Sequence, residues 1–229
     1  MTTAVDRAPS RGTSSLDRRT ARTAGALYLL IGVAGILAFL VLRPMLISDD
    51  PATAAAELRE NELLARWRIS AELVLVLAQV LVALAFFRLF RAVDDLAAAA
   101  IAVFGSLNAV ALMVSAASLT TSLEVALDGG SATTVQAFEM LSAHSWGVGN
   151  LFFGLWLVPM GWCVLRSGAM PRALGWLLAG GGFGYVASAF VVILAPDATL
   201  VAEALVIPAS IGEFWMIAYL LLVTGRARA

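Results

Sequence analysis

The sequence predicts an all-α, polytopic membrane bundle of six transmembrane helices with both termini in the cytoplasm. Composition is the first observation behind that prediction. Of 229 residues, 61% are hydrophobic and only 14% are charged, against about 45–50% and about 25% in soluble domains. A soluble fold needs a polar skin, and lipid as the outer solvent removes that need. The second observation is a set of six long, nearly charge-free segments. The third is the lopsided placement of arginine between them.

The segments are 24–42, 69–87, 96–123, 145–165, 173–195 and 204–225. About 20 apolar residues in a helix cross about 30 Å of hydrocarbon, so each is long enough. No segment alternates with period two, as a barrel strand would. The third is longer than required and should tilt or project. Residues 1–22 are rich in Ser, Thr and Arg and read as a disordered tail. Residues 23–225 read as a single membrane domain. The apolar run of the first span exceeds that of a signal peptide, so it is expected to stay in the chain.

Orientation follows from the arginines. Arg7, Arg11, Arg18, Arg19 and Arg22 precede span one; Arg88 and Arg91 follow span two. Arg166 and Arg172 lie between spans four and five, and Arg226 and Arg228 follow span six. The other side holds only Arg43, Arg59, Arg66 and Arg68, all in one loop. The richer side is therefore expected in the cytoplasm. The multi-pass chain is expected in a bacterial inner membrane, because every basic residue is Arg, a bias of GC-rich genomes.

Two loops on the arginine-poor side should be helical. Pro51 to Arg66 opens with a proline suited to a first turn and continues in good helix formers. Leu58, Glu62 and Ala65 share one side of it. Ser131 to Ser142 can be capped by Ser131 or Thr133, with Val135, Phe138 and Leu141 on one face. Both are expected to lie along the membrane interface.

A net charge of −1 gives no basic field for nucleic acid. The single cysteine, Cys163, has no partner for a disulfide or a zinc site. No cofactor is implied. With one His, no HExxH and no GxSxG, an intramembrane hydrolase is hard to build, so the chain is not read as an enzyme.

The run Phe153-Gly154-Leu155-Trp156-Leu157-Val158-Pro159-Met160-Gly161 is followed by Arg166-Ser167-Gly168-Ala169-Met170-Pro171-Arg172-Ala173-Leu174-Gly175. With Ala24-Gly25-Ala26-Leu27-Tyr28 and Ile211-Gly212-Glu213, it resembles the domain of unknown function 4386 family of bacterial multi-span membrane proteins. The resemblance runs from about Arg22 to Gly225. It implies a polytopic membrane fold and supplies no substrate. Physically, Pro159 should kink span four, and Pro171 sits near the start of span five. Gly180 and Gly184 form a GxxxG that would let span five approach a partner helix.

Charged and polar groups within the spans are costly, about 2.5–3.5 kcal/mol for a mid-bilayer charge on insertion scales. Glu213 lies roughly 13 Å into span six, or about 8 Å if that span begins at Pro208. Glu72 lies only about 5 Å below the edge of span two, and Gln79, seven residues on, shares its face. Asn108 falls near mid-span three, Asn150 in the outer part of span four, and His144 at that span's mouth. The expectation is one polar cluster of Glu72, Gln79, Asn108, His144, Asn150 and Glu213, open to the outside.

Simpler roles compete. Glu72 can pair with Arg68 one turn earlier, Glu213 can link helices, and the asparagines can act as packing glue. Ser106, Ser115 and Ser118 can serve as helix contacts. The six tryptophans, at 67, 146, 156, 162, 176 and 215, read as interfacial anchors. The leading functional reading is binding or transport of a small solute, or proton coupling, through the polar cluster. The alternative is a structural, assembly or signalling subunit that acts through helix contacts with a membrane-protein partner or a second copy. Beyond these, the expected partner is the lipid bilayer.

Overall fold

The computed structural model describes residues 17–46 and 50–223. Among the described residues, six helices are long and apolar enough to cross a membrane, and the chain is a multi-pass membrane protein. The first span is α1 (Arg18–Gly35), continued by a π-helical turn (Ile36–Leu42). A short α2 (Pro51–Glu60) follows, then α3 (Glu62–Phe90), α4 (Asp95–Leu127), α5 (Ala132–Ser167) and α6 (Arg172–Leu194). The last span is α7 (Thr199–Ala218), continued by a second π-helical turn (Tyr219–Val223). Each span packs on the one before it, and the terminal π turn closes the ring against α1.

Side-chain caps explain where four of these helices begin. Asp17 accepts from the backbone N–H groups of Arg19 and Thr20. Asp50 caps α2 ahead of Pro51, Asp94 caps α4, and Ser131 caps α5. The first helix thus starts at Arg18, inside the stretch read as a disordered tail; residues 1–16 lie outside the described residues. α5 ends at Gly168, whose left-handed φ of 64° suits glycine. The carbonyl of Ala169, just beyond that end, accepts from the Tyr219 hydroxyl at 2.5 Å.

Two expectations about the loops are corrected. The segment after Ser131 is no separate interfacial helix: it is continuous with span four, giving α5 36 residues. Nothing in 131–145 breaks a helix, so propagation costs less than a second nucleation. Pro51 to Arg66 is interrupted at Asn61 (φ −114°, ψ 41°), where α2 gives way to α3. α2 folds onto α4 and α5, and its Ala55 and Leu58 are buried with Leu46, Ala126 and Val135.

Glycine sets the spacing of α5, α6 and α7. A Cβ on Gly154 would stand 2.6 Å from the Gly182 carbonyl oxygen, and one on Gly161 2.5 Å from that of Gly175. Gly181 and Gly184 press on Ala209 and Leu205 of α7. Gly180 does not share in this packing: a Cβ there would meet nothing within 4 Å. The expected Gly180–Gly184 pair is therefore corrected to Gly181 and Gly184 toward α7, with Gly175 and Gly182 toward α5. α5 runs through Pro159 as one helix.

Trp156 is also corrected. It is no interfacial anchor but is fully buried at the centre of the bundle, edge-on to Tyr28 (5.6 Å) and Phe86 (5.9 Å). Trp67, Trp162 and Trp176 do face outward.

Candidate functional site

The expected single polar cluster separates into two levels, and helix geometry explains why. Glu72 and Gln79 share a face of α3, but seven residues advance the helix by about 10 Å. The same offset separates Ser115 from Asn108 on α4, and a similar one separates Ser142 from Asn150 on α5. Inward-facing polar groups are therefore stacked two turns apart.

The level nearer α2 is a compact network, paired among the described residues except at Arg68 Nε. The Ser115 hydroxyl donates to Glu72 Oε2 at 2.7 Å and lies 2.8 Å from the Ser142 hydroxyl. The Trp146 indole donates to Glu72 Oε1 at 3.3 Å. Arg68, expected to pair with Glu72, instead donates to Glu139 Oε2 at 3.0 Å in a buried ion pair. Sequence reasoning missed Glu139 because its helix was assigned to the interface. Once α5 is continuous, Glu139 faces the bundle one turn beyond Ser142. Arg43 stacks over Phe39 at 4.6 Å, and that ring lies 5.0 Å from Trp146.

The second level is a cavity of about 250 Å³ at mid-bundle, walled by all six spans. Gln79, Asn108, Asn150 and Glu213 line it, together with Tyr28 and Tyr185. The Tyr28 hydroxyl donates to Glu213 Oε1 at 2.5 Å, bridging the first and last spans. Gln79 is only 1% exposed, and among the described residues neither its Nε2 nor its Oε1 has a hydrogen-bond partner. A buried amide left unpaired costs about 1–3 kcal/mol.

Two candidates fall outside the cavity. Glu72 belongs to the paired level above it, with Trp146 spanning both. His144 is exposed and lines a separate apolar groove between α5 and α6, which Asn150 also touches. Tyr28, Tyr185 and Ser210 were not singled out from the sequence as site residues. Their signal was a hydroxyl inside an apolar span, weaker than a carboxylate but of the same kind. Among the described residues, no group of three or more His, Cys, Asp or Glu could hold a metal ion.

Gly32 and Gly35 form part of the cavity wall on α1. Ile36 and Phe214 line it while remaining 45% and 60% exposed. The π turn after α1 packs on α3 rather than α7. The seam between first and last spans is thus parted at this level. It closes lower down, where Gly25 meets Leu220. π-helical turns recur at functional sites, and here one follows each of the two helices that form the seam.

The opposite end of the bundle is tied by Asp94, which accepts from Trp162 Nε1 at 3.1 Å and Arg166 at 2.7 Å while capping α4. The Ala97 backbone N–H, then the indole and the guanidinium, hold its carboxyl below the ordinary value.

No curated protein and no solved structure matches the chain. Residues 23–224 match the family described as Domain of unknown function (DUF4386). That match covers nearly all of the membrane domain, including the cavity wall from Tyr28 to Glu213, and the chain belongs to this family.

Proposed function

We propose that this protein binds, and moves or senses, a small solute in the mid-bundle cavity, and that it does so without catalysing a reaction. One observation carries the reading: all six spans build one mid-bundle cavity whose wall carries Gln79, Asn108, Asn150 and the Glu213 carboxyl. Small-molecule sites are concave and mostly apolar, with a few placed polar groups, and this cavity has that character. Glu213 adds a carboxyl that can exchange a proton with a bound molecule. The arginine distribution supports an orientation with the α2 end outside and both termini in the cytoplasm of a bacterial inner membrane. The cavity would then be reached from the outer half of the bilayer.

The competing reading, a subunit acting through helix contacts, drew on the glycines of span five. Most of those glycines are occupied by contacts within the chain, which leaves less of α6 for a partner. The test is rescue of a deletion strain. Gln79→Leu and Glu213→Gln variants that reach the membrane at wild-type levels should fail to rescue. Full rescue by both would overturn the reading.

A further inference from the structure

We infer that the cavity takes a small lipophilic organic cation, a protonated amine or quaternary ammonium on an apolar body, with Glu213 as its counter-charge. This rests on the ligand-binding reading above and names the chemistry of the ligand.

The charge inventory of the wall comes first. Among the described residues, Glu213 is its one carboxyl group, and no Arg, Lys or His lines the cavity. The nearest arginines belong to the level above. Arg68 is paired with Glu139, and Arg43 stacks on Phe39 within the electrostatic reach of Glu72 and Glu139. Two arginines facing two glutamates leave that level balanced, so it supplies no counter-charge to Glu213. Tyr28 supports one carboxyl oxygen. The second makes no hydrogen bond among the described residues.

The aromatic wall points the same way. Tyr28, Trp146, Phe153, Tyr185 and Phe214 surround the cavity, and Phe153 meets Tyr185 edge-on at 5.3 Å and 83°. Aromatic faces attract cations and repel anions. An anionic solute would meet Glu213 and these faces with nothing to neutralise it. A neutral one could hydrogen-bond Glu213 but would leave its charge unbalanced. A protonated amine can donate to Glu213, and a quaternary ammonium, which has no N–H, meets the same carboxylate through charge alone.

Size fits the same class. A volume of about 250 Å³ lies just below the ~300–1,000 Å³ usual for small-molecule sites, so the ligand is small.

The test uses full-length protein in nanodiscs of zwitterionic lipid, with titrations followed by tryptophan fluorescence, since Trp146 lines the cavity. The probes share one phenyl body: 2-phenylethylammonium, benzyltrimethylammonium, neutral 2-phenylethanol and anionic phenylacetate. Both cations should bind about tenfold tighter than the alcohol, as expected for one cation–π and charge contact, and phenylacetate should not bind. Glu213→Gln, which keeps the shape and can still accept from Tyr28, should erase the preference. The wild-type comparison needs no variant and stands if Glu213→Gln fails to fold. Equal binding of alcohol and ammonium, weakened together by Gln79→Leu, would overturn the cation while leaving a ligand cavity in place. Binding of none of the probes would also overturn it, and deletion-strain rescue would then decide the broader reading separately.

Discussion

The two polar levels of the bundle bear a similar burden and discharge it differently. Both put acids, amides and hydroxyls among apolar helices. Near α2, Glu72 is held by two donors and Arg68 by Glu139. At mid-bundle, Gln79 is as deeply buried as Glu72, at 1% exposed each, yet among the described residues neither of its amide atoms is paired. A satisfied polar network rigidifies a fold, whereas an unsatisfied one is a standing cost unless something else fills it. The difference teaches that intramembrane polarity alone does not mark a site.

The largest effect should come from breaking the paired level. Glu139→Ala leaves Arg68 buried without its carboxylate and should destabilise the protein by about 3–5 kcal/mol in detergent unfolding. A Glu139→Leu, Arg68→Met double variant should recover most of that loss. A silent single variant would mean that this level is not a structural tie.

Helix spacing should matter next. Gly154→Val places atoms against the Gly182 carbonyl, and overpacking of this kind costs about 1–3 kcal/mol. Gly180→Ala, with open space around it, should be neutral or slightly stabilising. Melting temperatures of the two variants check the contrast. If they melt alike, the α5–α6 contact does not set the width of the cavity.

The smallest effect belongs to Asp94, outside the spans. Its folded-state pKa is held below the ordinary 3.8, so its contribution is present above that value and is lost as pH falls below it. Acid titration of stability should show a shallow loss there that Asp94→Asn flattens. An identical profile in the variant would remove Asp94 from the account.

The spans were legible because hydropathy and length are properties of a linear segment. α3 to α6 are apolar nearly all round, so the sequence does not say which face turns inward. Polar residues gave that direction for Glu72, Gln79 and Asn108, all of which are buried. Depth was harder to read. Glu72 and Gln79 share a face but sit two turns apart, so one expected cluster became two. Glu139 was hidden because residues 131–142 read as a separate short helix, whereas they continue α5. Tyr28 meets Glu213 across 185 positions of sequence, a pairing that only ring closure reveals.

The central claim is that Gln79 is kept unpaired for a ligand and not for the fold. Unfolding of ligand-free Gln79→Leu in nanodiscs, beside wild type, tests it most directly. The account predicts that stability is unchanged or raised by up to about 1–3 kcal/mol, because an unpaired buried amide is replaced by a side chain that needs no partner. A clear loss of stability would contradict it and return Gln79 to the packing of the bundle.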